Sequence, residues 1–198
     1  MLLDICLGTR TAWKILLVLG EAPGKAVSRK EIQALTKIGN KVLTKFLRVL
    51  EKFHMITAAK IGKAYYYKCN VSNPFTQPLL LLLNLEKEQL NNLDFFILNV
   101  LREFVYELTN ASLENLKKVI LFGSYAKRTY SENSDIDVAV VLKQKNPEEE
   151  LVVIEIIDKL KTRFKKEIQI HYYAEKEFQE GKKDALIQEI KKDGIPLL

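Results

Sequence analysis

The sequence predicts an α+β fold in two parts, and three observations support this. The first part spaces its apolar residues as helices do and ends in two strand-like runs around a glycine, at residues 55–68. The second part has two apolar strand-like runs at residues 119–142, with a polar segment between them. Residues 1–75 carry 13 basic and 4 acidic side chains, whereas residues 76–198 carry 18 basic and 21 acidic ones. The two parts should therefore have different partners.

Composition excludes several classes of protein. With 198 residues, of which 47% are hydrophobic, the chain suits one ordinary domain or two small ones and is not wholly disordered. No apolar run approaches the roughly 20 residues of a membrane-spanning helix, because Lys14 and Asn84 interrupt the runs. The N-terminus has no basic region before an apolar stretch, and Cys6 and Cys69 lack metal-like spacing. We therefore expect a cytoplasmic protein with reduced thiols and no membrane partner.

The N-terminal elements follow from caps and turns. Ser28 begins the segment Ser-Arg-Lys-Glu, in which its hydroxyl oxygen accepts an amide hydrogen while Glu31 reaches back. Gly39 tolerates a positive φ in the next turn, and Asn40 can cap the helix that follows. Gly62 lies at the tip of a basic hairpin. The predicted elements are helices at about 11–19, 28–36 and 40–53, then strands at 55–59 and 64–68.

This order of elements resembles the winged helix-turn-helix modules of prokaryotic regulators, over roughly residues 10–70. In that family the third helix enters the DNA major groove and the wing contacts the backbone. The net charge of +9 on residues 1–75 also favours a polyanionic partner. The resemblance implies DNA binding by Lys41, Thr44, Lys45 and Arg48 on the third helix and by Lys60 and Lys63 on the wing.

Two alternatives stay open for this part of the chain. The same lysines would also suit an outer helix face that is merely solvated, and winged helices also dock proteins, although we favour DNA. In the strand, alternation should bury either Tyr66 or its neighbours Tyr65 and Tyr67.

A short linker and a long helix are predicted next. Residues 70–78 hold two prolines and two asparagines, which mark a boundary. Apolar residues then keep a helical stripe over residues 90–108, which could pack an intramolecular core or a homodimer seam. The breadth of the stripe favours the core. The predicted domains are residues 1–75, connecting helices at 76–110, and a second domain at 111–198.

The segment that carries chemistry lies at residues 119–142. Asp135 and Asp137 are one residue apart in a strand-like run, so both carboxylates lie on one face. Mg²⁺ prefers such carboxylates together with water and substrate phosphate oxygens. Upstream, Gly123 allows a sharp turn, and Ser124 can offer its hydroxyl and amide to a phosphate. Together these residues indicate phosphoryl transfer.

The combined spacing resembles the nucleotidyltransferase superfamily of DNA polymerase beta, especially its small prokaryotic members. Ten residues separate Gly123-Ser124 from Asp135-Ile136-Asp137, which lies between two apolar strands. The resemblance extends from about residue 95 to residue 198 and implies a small mixed sheet with flanking helices, with ATP or another nucleoside triphosphate as substrate. It also implies Mg²⁺ or Mn²⁺ at Asp135 and Asp137, and nucleotide binding by Gly123, Ser124, Lys127 and Arg128.

Two positions depart from the family pattern. Arg128 stands where these proteins often have glycine, which would reshape the loop or add a phosphate donor. Gln169 stands where they usually place a third carboxylate, and glutamine has neither a charge nor a basic group. Strand alternation leaves Glu167 on the same face, about 6.6 Å away, so it is the candidate third catalytic acid. His171 shares that face and is more often a structural residue.

Two functions follow from these residues. The first is a Mg²⁺-dependent nucleotidyltransferase that moves AMP from ATP to a hydroxyl group of a macromolecule. Small members of the superfamily include antitoxins that adenylylate a partner toxin on tyrosine, so a cognate toxin is one candidate acceptor. The second is a DNA-binding regulator whose catalytically retired domain senses nucleotide or docks a partner, which Gln169 favours. The retained aspartate pair favours catalysis, because like charges in one place are costly without a cation.

Overall fold

The computed structural model describes residue 8 and residues 10–111, 113–181 and 184–198. The chain divides into two compact units, Leu3–Glu88 and Gln89–Leu198. Of the residues described, no helix combines the length and apolar character needed to span a membrane. Cys69 is buried with a free thiol, and burial raises its pKa to about 11, whereas Cys6 lies outside the described residues.

The N-terminal unit contains the predicted helices and hairpin. Its three strands form one antiparallel sheet in the order β1-β3-β2. Residues 76–89, predicted as a connector, form a helix that lies almost wholly within this unit, because the units divide between Glu88 and Gln89. The elements are α1 (Arg10–Gly20), β1 (Val27–Ser28), α2 (Arg29–Thr36), α3 (Asn40–Lys52), β2 (Ile56–Ile61), β3 (Ala64–Cys69) and α4 (Thr76–Gln89).

The turns of this unit agree with the sequence in part. Ser28 caps α2, since its Oγ accepts a hydrogen bond of 3.2 Å from the amide of Glu31. Gly39 has φ −61°, and Lys37 takes the left-handed conformation of this turn instead, with φ 54°. Asn40 is the first residue of α3 and not its cap, because the cap is Gly39. Lys37 ends α2 by donating its amide to the Gln33 carbonyl, so the chain turns before it reaches Gly39.

Buried apolar side chains on each helix hold the N-terminal unit together. Ile32 and Leu43 are fully buried. Trp13 on α1 donates its ring N–H to the Glu86 carboxylate on α4 at 2.8 Å, which satisfies the indole in the core. In β3, Tyr67 is buried, Tyr66 is half-buried and Tyr65 is exposed, so neither alternative for the three tyrosines holds in full.

The C-terminal unit is a mixed four-stranded sheet with helices, as expected. The strand order is β6-β5-β4-β7, in which β5 and β6 are parallel and the other pairs are antiparallel. The elements are α5 (Phe95–Asn110), β4 (Leu116–Phe122), α6 (Gly123–Lys127), β5 (Ile136–Leu142), α7 (Pro147–Phe164), β6 (Ile168–Ala174), α8 (Glu175–Glu180), α9 (Ala185–Asp193) and β7 (Ile195–Pro196).

The core of this unit fixes the central strands. Apart from Asp137, every residue of β5 is buried, which explains why the strand is a continuous apolar run rather than an alternating one. One core cluster joins sheet residues such as Phe122 and Ala139 to Phe178 on α8 and Ile190 on α9. The half-buried Asp137 therefore lies on a rigid strand near its start.

Candidate active site

A tight contact joins the Gly-Ser turn to the paired aspartates. Phe122, the last residue of β4, lies opposite Asp137 in the antiparallel ladder, so Gly123 comes directly beside that carboxylate. Gly123 has φ +68°, a conformation that other residues rarely adopt, and a Cβ atom there would collide with the Asp137 carboxylate. Only glycine fits at position 123 without displacing Asp137.

Replacing Gly123 with alanine should therefore destabilise the protein by roughly 1–3 kcal/mol, because it adds backbone strain as well as the collision. Urea unfolding of the two proteins measures this difference. Gly24→Ala is the matched control, since Gly24 does not take a positive φ and a Cβ atom there would meet nothing within 4 Å. Equal urea midpoints for Gly123→Ala and the wild type would contradict the described contact.

The electrostatics of Asp137 favour a bound cation. Burial raises the pKa of the Asp137 carboxyl, and the charges of Asp135 and Glu189 raise it further, whereas His171 acts in the opposite direction. Asp135 is exposed. A cation beside the two aspartates would offset the cost of ionising Asp137.

Two carboxylates fit the coordination chemistry of magnesium. Mg²⁺ is usually held by one or two carboxylates, with water and substrate phosphates as its other ligands. Among the described residues, no three His, Cys, Asp or Glu side chains come together as a metal site. The donor set thus suits a metal that is shared with a nucleotide, with Asp135 and Asp137 as the protein ligands.

Gln169 and Glu167 lie at the start of β6, beside the paired aspartates. Gln169 is the partner of Asp137 in the parallel ladder, and the Glu167 carbonyl accepts a hydrogen bond of 3.0 Å from the amide of Ile136. The Glu167 carboxylate, however, forms an ion pair with Lys161 on α7, at 2.9 Å. Its role as the third acid stays a prediction, and would require that pair to open.

His171 lies farther along β6, on the face that carries Asp137. It is half-buried, and its ring meets the edge of Phe122 with centroids 5.2 Å apart. This packing agrees with a structural role for the histidine.

The predicted phosphate-binding residues lie on and just after α6. Ser124 is half-buried, and its carbonyl accepts a hydrogen bond of 2.9 Å from the Thr129 amide. Lys127 forms an ion pair of 2.8 Å with Glu189 on α9, which is the main reason that its pKa is raised. Arg128 has φ 59°, which explains in physical terms why glycine suits this position.

Sequence reasoning missed the side chains that shape the loop before Asp135. Tyr125 is buried and stacks on Tyr130, with ring centroids 4.3 Å apart. The Tyr125 hydroxyl donates to the Ser134 carbonyl at 3.4 Å, and Lys166 lies over the Tyr125 ring at 5.4 Å. In the sequence, only the two tyrosines near the polar loop indicated such a cluster. The contacts themselves depend on the tertiary fold, so local patterns do not predict them.

The predicted DNA-contacting residues of the third helix share one side of α3. Lys41, Thr44, Lys45 and Arg48 line an open groove of about 460 Å³, and Lys52, which the sequence reasoning missed, extends it. The Thr44 hydroxyl also accepts a hydrogen bond of 2.7 Å from Arg29, so it is partly committed within the unit. The remaining two predicted residues, Lys60 and Lys63, are exposed on either side of the hairpin tip.

Comparison with known families identifies the C-terminal part of the chain. Residues 98–195, just under half of the chain, match the family model of the nucleotidyltransferase domain. The match covers β4, the Gly-Ser turn, the paired aspartates and β6.

Two curated relatives match shorter segments of the chain. Two proteins of Methanocaldococcus jannaschii, both bearing the provisional name protein adenylyltransferase, are 40% identical over 48 residues and 49% identical over 41 residues. These matches cover 24% and 21% of this chain, and 48% and 41% of the relatives, so the chain spans less than half the length of the curated relatives it matches. A solved toxin-antitoxin structure with AMP-PNP is 23% identical, with a TM-score of 0.37, over 48% of this chain and 70% of that one.

Proposed function

We propose that the protein is a Mg²⁺-dependent adenylyltransferase that moves AMP from ATP to a hydroxyl group of a macromolecule. The acceptor oxygen bonds to the α-phosphorus of ATP, the bond from that phosphorus to the bridging oxygen breaks, and pyrophosphate leaves. The observation that carries this proposal is the close approach of Gly123 to Asp137, because it brings a phosphate-binding turn and a metal-binding carboxylate together.

The chain's own residues have separate tasks in this proposal. Asp135 and Asp137 hold the metal, which neutralises phosphate charge when bound. Gly123 and Ser124 offer backbone amides and a hydroxyl to the phosphates. The Glu167 carboxylate accepts the proton of the acceptor hydroxyl once it has left Lys161.

Lys127 and Arg128 complete the proposed nucleotide site. Lys127 lies within reach of two carboxylates on α9, Glu189 at 2.8 Å and Asp193 at 3.9 Å, which orient its ammonium group. Arg128 directs its guanidinium to the Asn92 carbonyl at 3.4 Å, an exposed hydrogen bond that a phosphate could replace at little cost. Both cations follow the Gly-Ser turn directly, where a triphosphate would lie.

A protein is the acceptor that we favour. The names of the two curated relatives refer to protein adenylylation. The resemblance to the small prokaryotic nucleotidyltransferases, some of which are antitoxins that adenylylate a partner toxin on tyrosine, points the same way. A cognate toxin hydroxyl is accordingly our first candidate.

Binding of ATP and Mg²⁺ to the folded state should raise the melting temperature, because a ligand that binds only the folded state stabilises it by mass action. At a hundredfold excess over the dissociation constant the gain is about 2.7 kcal/mol. Thermal unfolding with ATP alone, Mg²⁺ alone and both together measures it. The largest shift should need both, and identical melting curves in all conditions would oppose the proposal.

We further propose that the N-terminal unit is a winged helix that binds DNA. Three helices and a hairpin sheet in the order β1-β3-β2 support the winged-helix assignment. The basic groove on α3 and the exposed lysines of the hairpin support DNA as the partner. A regulator with an inactive nucleotidyltransferase domain would share this DNA surface.

Replacing Lys45 and Arg48 together with alanine should weaken duplex binding without a change of fold. The logarithm of the affinity decreases as the logarithm of the salt concentration increases, and each lost phosphate contact makes this dependence shallower by about 1. The magnitude of the slope should therefore decrease by about 2. Fluorescence anisotropy with a random-sequence duplex over a salt series measures this. Lys117→Ala with Lys118→Ala, which removes two exposed charges from the other unit, is the control. Equal slopes for the two double variants would refute a DNA-binding role for α3.

A further inference from the structure

An open groove of about 700 Å³ lies beside Asp135. One wall is the last turn of α7 with the residues after it, including Lys161, Thr162 and Lys165. The other wall is the loop before β5, which Lys166 braces by donating to the Glu132 carbonyl at 2.8 Å. The groove is therefore built from two segments that meet at the start of the parallel strands.

Asp135 belongs both to the lining of this groove and to the proposed metal site. As far as the described residues go, the groove lining includes Asp135 but not Gly123, Ser124 or Asp137. Transfer of a phosphoryl group places the attacking and leaving oxygens roughly in line, on opposite sides of the phosphorus. If pyrophosphate leaves on the side of the Gly-Ser turn, the acceptor hydroxyl must come from another side, and the groove offers a path to Asp135.

The charges of the groove distinguish between acceptors. Its three lysines, Lys161, Lys165 and Lys166, are outnumbered by four carboxylates, and one pair is already formed between Lys161 and Glu167. A nucleic-acid backbone needs an excess of positive charge along its path, which this groove does not supply. A polypeptide of mixed charge meets no such penalty. The other carboxylates of the lining are Glu132, Asp135 and Asp158.

We propose that this groove receives the polypeptide segment that presents the acceptor hydroxyl. The inference rests on the proposed adenylyltransferase function and adds to it the place and chemical class of the second substrate. Thr162 and Lys165 contact the acceptor segment on the α7 side, whereas the ATP site on the Gly-Ser side does not involve them.

The test compares two charge reversals that lie close together in the chain. Lys165→Glu changes the groove, whereas Lys159→Glu makes the same change on α7 at an exposed residue outside the groove lining. Thr162→Arg obstructs the groove by size and serves as a second variant. The probes are a library of decapeptides centred on tyrosine, serine or threonine and a 20-nucleotide RNA, each incubated with α-labelled ATP and Mg²⁺.

We expect label on peptides and not on the RNA. Lys165→Glu and Thr162→Arg should raise the peptide concentration for half-maximal labelling about tenfold, which corresponds to about 1.4 kcal/mol of lost binding. The ATP-dependent shift in melting temperature should stay as in the wild type, and Lys159→Glu should behave as the wild type in both assays.

Three results would overturn the inference while leaving nucleotide binding intact. These are label on the RNA instead of peptides, equal peptide labelling by all variants, and transfer from ATP to extract protein but to no peptide. Weaker ATP binding in Lys165→Glu, with unchanged use of peptide, would instead assign the groove to the nucleotide and also overturn it. Loss of the ATP-dependent shift in the wild type itself would be a failure of the proposed function.

Discussion

Replacing both Asp135 and Asp137 with asparagine should abolish adenylyl transfer, with a rate loss of at least about a thousandfold. Loss of the two proposed metal ligands would remove the charge stabilisation that dominates phosphoryl transfer. The part of the ATP-dependent melting shift that requires Mg²⁺ should disappear as well. Transfer is measured with α-labelled ATP, and the melting shift by thermal unfolding.

The same double variant should not be less stable in metal-free buffer at neutral pH. Burial raises the pKa of Asp137, so the folded state disfavours its ionised form and loses stability as the pH rises through that pKa. Asparagine removes this loss, and the advantage of the variant should vanish as the pH falls below the ordinary pKa of aspartate. Glu114→Gln with Glu155→Gln, two exposed carboxylates, is the control, and it should leave transfer unchanged. An unchanged metal-dependent shift in the aspartate variant would place the metal elsewhere.

Replacing Glu167 with glutamine should lower transfer by about a hundredfold or more while ATP binding persists. If Glu167 is the base that takes the acceptor proton, the side-chain amide of glutamine cannot do so in its place. General base catalysis contributes rate factors of this size. Single-turnover transfer and the melting shift measure the two effects separately. Glu175→Gln, outside the residues assigned to the site, is the control.

Gln169 gives the complementary experiment. If the domain is a retired enzyme within a regulator, the wild type should show no transfer, and Gln169→Asp should restore some by returning charge next to Asp137. An active wild type whose Glu167→Gln variant keeps its full rate would rule out Glu167 as the third acid. These outcomes distinguish an enzyme from a nucleotide-sensing regulator.

Local sequence patterns predicted the secondary structure and singled out Asp135 and Asp137 as candidate metal ligands. These features depend only on residues that are close in the sequence. Examples are the hydrogen bond that caps α2 at Ser28, the helical spacing of apolar residues and the glycine at the hairpin tip. The spacing of Gly123-Ser124 to Asp135 resembled that of the nucleotidyltransferase superfamily, and the ladder between β4 and β5 places Phe122, the neighbour of Gly123, opposite Asp137.

Long-range contacts were not predictable in this way. Strand alternation predicted that Glu167 and Gln169 share one face, and β6 itself begins one residue after Glu167, at Ile168. The ion pair of Glu167 with Lys161 depends on where α7 ends relative to the sheet, which no local pattern encodes. Lys37, not Gly39, has the left-handed conformation of this turn. The reason is that α2 ends at Lys37, whose amide donates to a carbonyl of the last helical turn.

The central claim is that the protein transfers AMP from ATP to a protein. Following the α-phosphate and the γ-phosphate of ATP separately tests this claim most directly. The protein is incubated with Mg²⁺ and a protein extract, in parallel with ATP labelled at the α-phosphate and ATP labelled at the γ-phosphate. The account predicts that the α-label becomes covalently attached to protein and that the γ-label is released as pyrophosphate, with neither event in the Asp135→Asn, Asp137→Asn variant. Attachment of the γ-label, or attachment of neither label by the wild type, would contradict it.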